Sequence, residues 1–264
     1  MRKHRLLFCL AALLALALPC APREARAQSS LWTVPTGESL PESETYLEFD
    51  FDAHPTSYKK GGFQSYGVFL VRGVGKGVEV GVNAYFLKDG DGETQPLELQ
   101  PNIKWQFYNN EDRGLAAAVG GILFAPAGRG GGDTVGMLYA SASKTIEGMK
   151  GAQFTGGGYG LVGRNGEGGS RAGALVGYFQ PVTRKLCFMA DWNSGHNRFG
   201  YGAAGFGLDV SKKGTLYSGY YFGNEGRANN FFGVYYGHRF TAPPAAPAAK
   251  REASDDDEEE GPCG

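Results

Sequence analysis

Apolar and polar residues alternate along residues 97–108. The odd-numbered positions from 97 to 107 are apolar, and the even-numbered positions from 98 to 106 are polar. Successive side chains of a β-strand point to opposite faces, so this pattern predicts a strand with one apolar face and one polar face. The same spacing would spread apolar residues all round a helix. A strand of about 11 residues also has the length that crosses a bilayer when it is tilted.

The period of two recurs from residue 46 to residue 240, and segments rich in glycine, asparagine and aspartate interrupt it. Such segments are typical of turns between strands. The predicted strands are residues 46–52, 63–71, 78–86, 97–108, 115–125, 134–143, 152–163, 172–180, 185–193, 201–210, 215–222 and 230–240. An even number of strands brings both ends of a barrel to one side of the membrane. The pattern therefore predicts an all-β fold, an antiparallel up-and-down transmembrane β-barrel of twelve strands.

Strand length and aromatic placement favour a membrane barrel over a soluble sandwich. Sandwich strands average about 5 to 6 residues, whereas most strands predicted here have the length of about 9 to 12 residues that suits a bilayer. Aromatic residues lie near the predicted strand ends, where outer-membrane barrels carry aromatic girdles. The residues assigned to these girdles are Tyr46, Phe86, Trp105, Phe107, Tyr108, Phe124, Trp192, Phe222 and Phe240.

Composition divides the chain into four segments. Residues 1–27 are predicted to be a secretory signal peptide, with an apolar run at 6–18 and a cleavage site at Ala25-Arg26-Ala27. Residues 28–44 form an extended segment, residues 45–240 the barrel, and residues 241–264 an acidic tail whose composition predicts disorder. Residues 28–240 carry 19 basic and 19 acidic side chains, so charge does not favour a nucleic-acid partner.

Leu31 and Trp32 are apolar residues in the otherwise polar extended segment. One interpretation places them in a short plug inside the lumen. The other places them as a pair at the membrane interface, or as a loose segment. We expect the second placement.

Polar residues on the predicted inner faces are the candidate functional residues. They are Glu48, Asp50, Asp52, Glu79, Glu98, Gln100, Asn102, Lys104, Gln106, Lys185, Asp191, Asp209 and Arg239. In one interpretation they line a solute path and set its selectivity, and in the other they pair across the lumen and close it. Glu98 and Lys104 lie about 20 Å apart by the rise of a strand, so each needs water or a partner on another strand.

Residues 191–197, Asp-Trp-Asn-Ser-Gly-His-Asn, are the nearest approach to a catalytic cluster. Nucleophilic catalysis needs an imidazole aimed at the hydroxyl from a facing strand, and the sequence lacks the His-x-Ser arrangement of the outer-membrane phospholipase barrels. We therefore expect no enzymatic activity. The histidines and cysteines that follow the signal peptide are widely separated, so neither a metal site nor a cofactor is predicted.

The last predicted strand resembles the closing strand of Gram-negative outer-membrane β-barrels. Phe232, Val234 and Tyr236 share a parity with Phe240, the aromatic residue that ends the strand. The resemblance implies location in the bacterial outer membrane, contact with the lipid bilayer, and recognition by the outer-membrane assembly machinery through the strand ending at Phe240. The chain departs from that pattern because residues 241–264 follow Phe240.

A narrower resemblance concerns residues 102–107, Asn-Ile-Lys-Trp-Gln-Phe, and the segment 114–126 that leads to Pro126-Ala127-Gly128. These motifs are similar to the transporter-like barrels of the meta-pathway phenol degradation type. In that family a strand with a Lys-aromatic pair precedes a strand that ends in a Pro-x-Gly loop. The resemblance implies a passive transporter and does not name its cargo.

We therefore expect an outer-membrane barrel that acts as a passive channel or transporter for small solutes. The alternative is a non-conducting structural barrel that binds a partner. A third hypothesis, an outer-membrane lipid hydrolase, depends on Asn193, Ser194 and His196.

Overall fold

The computed structural model describes residues 29–57, 60, 62–88, 97–127, 133–163, 168–226 and 230–241. The predicted signal peptide and the acidic tail from residue 242 onward lie outside the described residues. Within the described ranges, no helix is both long enough and apolar enough to cross a membrane.

Antiparallel strands dominate the described part of the chain. They are β1 (Glu44–Ala53), β2 (Gln64–Gly75), β3 (Val78–Lys88), β4 (Leu97–Asn110), β5 (Leu115–Ala127), β6 (Val135–Ile146), β7 (Ala152–Gly163), β8 (Ala172–Pro181), β9 (Leu186–Asn193), β10 (Tyr201–Asp209), β11 (Gly214–Gly223) and β12 (Phe231–Thr241). Each strand pairs with its neighbours in sequence, and β1 pairs with β12 to close the barrel. The predicted fold class is confirmed.

The alternation of β4 separates the two surfaces of the barrel wall. Ile103 and Trp105 have 53% and 52% of their surface exposed, whereas Lys104 between them has 3%. The same contrast recurs on the other strands, so large apolar side chains form a belt around the outside. An apolar surface of this extent is typical of a barrel that faces lipid.

The two ends of the barrel differ in the length of their connections. One end carries turns of two to five residues between β2 and β3, β4 and β5, β6 and β7, β8 and β9, and β10 and β11. It also holds the start of β1 and the end of β12, and we call it the short-turn end. The other connections have seven to ten residues and define the long-loop end. In outer-membrane barrels the short turns face the periplasm and the long loops face outward.

The turn between β2 and β3 consists of only two residues. Lys76 and Gly77 both have positive φ angles, 54° and 73°. A two-residue turn of this kind matches the twist of the flanking strands. The connection between the strands predicted at residues 63–71 and 78–86 is therefore shorter than expected, because β2 continues to Gly75.

Candidate functional site: a hairpin inside the barrel lumen

Residues 29–40 fold back on themselves inside the barrel, and we call them the N-terminal hairpin. The backbone N–H of Leu31 donates to the Val34 carbonyl at 2.9 Å, and that of Thr36 donates to the Ser29 carbonyl at 3.1 Å. Val34 and Thr36 are fully buried. A chain segment, rather than the side chains of the wall alone, therefore fills the lumen.

Asp191 on β9 holds the tip of the hairpin. Its Oδ2 accepts the backbone N–H groups of Thr33 and Val34 at 2.7 and 2.9 Å. Its Oδ1 accepts the Thr33 hydroxyl at 3.3 Å. These two N–H groups have no other acceptor in the hairpin turn, and a charged acceptor makes the stronger kind of hydrogen bond. Asp191 is a predicted lumen residue, and its hydrogen bonds to the hairpin compensate for the burial of its carboxylate.

Trp32 lies among three tyrosines of the barrel wall, which we call the tyrosine cage: Tyr217 and Tyr221 on β11 and Tyr235 on β12. The indole centroid is 6.3, 6.0 and 5.9 Å from their ring centroids. The indole Nε1–H donates to the Met189 carbonyl at 3.0 Å. The interface or loose placement expected for Leu31 and Trp32 is therefore wrong. The cage accepts the ring while the carbonyl accepts its N–H, which a membrane interface or a loose segment would not provide together.

The base of the hairpin is held by charges on β3 and β4. Lys104 forms an ion pair with Glu79 at 3.1 Å and donates to the carbonyls of Ser29 and Glu38, the latter at 2.8 Å. Glu79 in turn accepts the backbone N–H of Leu40 at 2.7 Å. Lys104 therefore finds its partners on another strand and on the hairpin.

Two serines of β6 bind the middle of the hairpin. Ser141 donates to the Thr36 carbonyl at 3.0 Å, and Ser143 accepts the backbone N–H of Gly37 at 2.8 Å. A Cβ at position 37 would lie 2.4 Å from the carbonyl oxygen of Ala116. The hairpin can approach the wall this closely because residue 37 is glycine.

Glu38 is the titratable side chain of the hairpin itself. Burial raises the pKa of its carboxyl above the ordinary value, while a hydrogen bond from Gln153 and the charge of Lys104 lower it in part. Gln153 donates to Oε1 at 2.9 Å, and Oε2 is buried without a hydrogen-bond partner among the described residues. Glu38 therefore binds a proton more tightly with the hairpin in place than it would in water.

The loop between β9 and β10, residues 194–200, closes the lumen from the long-loop end. Arg198 donates to both carboxylate oxygens of Glu98 at 2.8 and 2.7 Å. Its guanidinium lies 5.3 Å from the ring centroid of Phe124 and 5.2 Å from that of Phe199. Val34 of the hairpin and Phe199 of the loop pack against one apolar cluster that contains Phe124. The two segments therefore meet at the same group of side chains.

Three carboxylates on β1 form an acidic row along the inner wall: Glu48, Asp50 and Asp52. Their hydrogen-bond donors are tyrosine hydroxyls: Tyr46 donates to Glu48, Tyr85 to Asp50 at 2.5 Å, and Tyr235 to Asp52 at 2.7 Å. Asp50 is 8% exposed, and its Oδ1 has no hydrogen-bond partner among the described residues. A cavity of about 40 Å³ adjoins the row and is lined by Trp32, Tyr46, Glu48, Tyr217, Tyr235 and Arg239, among others.

The remaining predicted site residues lie apart from the hairpin tip. Asn83 donates to Gln100 at 3.1 Å, and Gln100 to Glu98 at 2.9 Å. Asn102 donates to Asn83, Gln106 accepts the Ser39 hydroxyl at 3.0 Å, Arg239 pairs with Glu44 at 2.9 Å, and Asp209 accepts the Thr215 hydroxyl at 2.8 Å. Lys185 is exposed in the turn that precedes β9, at the short-turn end.

Two aromatic residues assigned to the outer girdles face the lumen instead. Phe124 is buried in the inner cluster, and the Tyr46 hydroxyl bonds Glu48. Their strand parity explains this, because Phe124 shares its face with buried Ala116 and Ala118. Sequence reasoning also missed the tyrosine cage and the two serines of β6. The alternation of β11 could have revealed the cage, since the odd-numbered Tyr217 and Tyr221 point inward while the even-numbered Leu216 and Phe222 lie on the outer face.

Side chains of residues 194–197, part of the nearest approach to a catalytic cluster, make hydrogen bonds that fix the loop. The Ser194 hydroxyl accepts the backbone N–H of Ala174 at 2.7 Å, and the backbone N–H of His196 donates to the Ser170 hydroxyl at 3.1 Å. The Asn197 amide donates to the Tyr159 hydroxyl at 2.9 Å. These contacts fold the loop. No group of three or more histidine, cysteine, aspartate or glutamate side chains in the described ranges is arranged to hold a metal ion.

No protein-family model matches the sequence, and no curated protein sequence matches it. Among solved structures the chain is similar to the KdgM porin, with a TM-score of 0.54 and 6% identity over 75% of this chain and 99% of that chain. It is also similar to an outer membrane channel from Pseudomonas putida F1, with a TM-score of 0.51 and 14% identity over 77% of this chain and 97% of that chain. A weaker similarity, with a TM-score of 0.47 and 13% identity, is to outer membrane phospholipase A from Escherichia coli, over 82% of this chain and 95% of that chain. The chain therefore has the fold of the outer-membrane β-barrels.

Proposed function

We propose that the chain is a passive channel for small solutes in the bacterial outer membrane, and that the N-terminal hairpin and the β9–β10 loop hold it closed in this structure. The KdgM porin and the Pseudomonas putida F1 outer membrane channel, both with TM-scores above 0.5, are a porin and a channel by name, which supports the proposal. A barrel of about eight strands is filled by its own side chains, whereas a wider barrel leaves room for a segment or a solute.

The chemistry of the hairpin contacts carries the proposal. Polar side chains of the wall bind the hairpin backbone, namely Asp191, Glu79, Lys104, Ser141 and Ser143. Water can replace the hairpin as the partner of each of these groups. With the hairpin withdrawn, each of these groups would therefore be hydrogen-bonded to water, and they would form a polar strip of the lumen of the kind that a solute path uses.

A non-conducting structural barrel is the second candidate. The observation that favours it is the apolar cluster, in which Val34 and Phe199 close the lumen from both directions. In this case the hairpin would be a permanent part of the core. A lipid hydrolase is not proposed, because the Ser194 hydroxyl binds a backbone N–H and the His196 residue is exposed.

Conductance separates the two candidates. The purified protein would be placed in planar bilayers beside a variant that lacks residues 29–40, with a variant lacking residues 242–264 as the control for shortening the chain. The channel function predicts rare openings of the full chain, a sustained current after hairpin removal, and no effect of tail removal. A folded hairpin-deleted barrel that passes no current would support the structural barrel and exclude the channel.

A further inference from the structure

The charges that face the lumen do not balance along its length. The inward cations of the described residues are each paired: Lys104 with Glu79, Arg198 with Glu98, and Arg239 with Glu44. The acidic row is hydrogen-bonded by tyrosine hydroxyls instead. At about 3.4 Å per residue, the carboxylates at positions 48 and 52 are about 14 Å apart along the strand. Neighbouring carboxylates repel one another, and a cation placed between them relieves that repulsion.

The tyrosine cage stands beside this row. Asp50 and Tyr235 are register partners across the β1–β12 pair, and Tyr235 also donates to Asp52. Tyr235 and Tyr217 are register partners across the β11–β12 pair. Aromatic faces attract cations, and aromatic cages bind organic ammonium groups by this attraction. Here the cage holds the indole of Trp32, a flat aromatic group on a segment that the proposed channel must release.

Asp50 supplies a separate observation that points to a ligand. Its Oδ2 is bonded to Tyr85, but its Oδ1 is buried and has no hydrogen-bond partner among the described residues. A buried carboxylate oxygen without a donor is costly. An ammonium group offers N–H donors and a compensating positive charge, so it would satisfy this oxygen. The cavity of about 40 Å³ is lined by Trp32, Tyr46 and Glu48, so it reaches the Glu48 end of the row.

We propose that the acidic row and the tyrosine cage form a binding site for primary organic ammonium ions on the solute path. The carboxylates accept the ammonium N–H groups, and the cage packs against the adjacent carbon atoms in the place that Trp32 now takes. This inference rests on the proposed channel, and it names the class of solute that the channel takes. Trp32 then competes with the solute for the cage.

Binding of butylammonium chloride to the full chain tests the site without any need for current. Calorimetric titration would compare the wild type with Trp32→Ala, which leaves the cage empty, and with Trp32→Ala combined with Glu48→Gln, Asp50→Asn and Asp52→Asn. The control combines Trp32→Ala with Glu111→Gln, Asp112→Asn and Glu147→Gln, which removes the same charge at exposed positions of the short-turn end. Heat-dependent gel mobility would establish that each barrel is folded, and Trp32→Ala with Asp50→Asn alone serves if the larger variant does not fold.

The expected result is at least about fivefold tighter binding in Trp32→Ala than in the wild type. Neutralising the row should weaken binding at least about tenfold, and the control should not. Equal binding by the row variant and the control would overturn the inference, as would an absence of binding to folded Trp32→Ala. Current recorded in the same variants distinguishes the two claims. Current with no ammonium binding would overturn the binding site alone. Ammonium binding without current in any variant, including the one lacking residues 29–40, would overturn the channel alone.

Discussion

Asp191→Ala should release the hairpin more than any other single change to a polar group of the wall. The carboxylate accepts two backbone N–H groups, those of Thr33 and Val34, and the Thr33 hydroxyl. Alanine offers no acceptor, so both N–H groups would be buried without a partner whenever the hairpin is in place. In the released state the same groups bind water, and the substitution costs nothing there.

The magnitude follows from these contacts. A hydrogen bond to a charged acceptor contributes about 1.5 to 3 kcal/mol, and an unsatisfied buried donor costs a similar amount. Taking the lower figure for each of the two N–H groups gives about 3 kcal/mol. At 1.4 kcal/mol per factor of ten, this raises the ratio of open to closed barrels about 100-fold. The contacts of Trp32 and Val34 remain, so the hairpin should still close part of the time.

Single-channel recording measures this ratio as the fraction of time spent open. The matched control is Asp112→Ala, which removes an exposed carboxylate from the turn between β4 and β5. We expect frequent openings of the Asp191 variant, with the same conductance as the rare openings of the wild type. If both variants open as seldom as the wild type, while deletion of residues 29–40 does produce a current, Asp191 does not hold the hairpin.

Three further predictions concern other parts of the barrel. Burial raises the pKa of Glu38 above its ordinary value of 4.5, so the closed state binds the proton more tightly than the open state. Closure is therefore strongest below pH 4.5 and weakens as pH rises through the raised pKa, so the open fraction should increase over that rise. Glu38→Gln, which leaves Lys104 and Glu79 in place, should remove this part of the increase. Ile103→Arg places a charge on the lipid-facing side of β4 and should lower the free energy of unfolding in lipid by about 2 to 4 kcal/mol. Urea titration measures this free energy, and Asp112→Arg, in an exposed turn, should leave it nearly unchanged. Arg198→Ala removes a partly exposed ion pair that holds the β9–β10 loop and contributes about 1 kcal/mol. Chymotrypsin should therefore cleave after Phe199 about fivefold faster. An unchanged cleavage rate would show that the pair does not hold the loop.

The strands were predictable because each carries its own signal. The alternation over residues 78–86 and 97–106 assigns the side chains of those segments of β3 and β4 to a face, and a lipid-facing belt demands that pattern on each strand. The structure extends several strands by one to four residues, as where β2 continues to Gly75, because ladder pairing persists into turns that composition marks as loops.

The hairpin was not predictable because its position depends on contacts that are remote in sequence. Thr33 and Asp191 are 158 residues apart, and nothing near Thr33 marks Asp191 as its partner. Aromatic identity gave no help either, since outer girdles and the inner cage both use tyrosine. Glu98 and Lys104 show what the sequence alone does not predict. The rise of a strand shows that they cannot pair with each other. Their actual partners, Arg198 and Glu79, lie on other elements that barrel closure and loop folding bring close.

Hydrogen exchange of residues 29–41 tests the central claim, that the N-terminal hairpin occupies the lumen. The amides of Thr33, Val34, Gly37 and Leu40 donate to side chains of the barrel wall. Mass spectrometry of the folded protein in lipid should therefore find this segment exchanging at least about 100-fold more slowly than an unstructured peptide of the same sequence. Exchange at the unstructured rate, in a barrel whose strands are protected, would contradict the account.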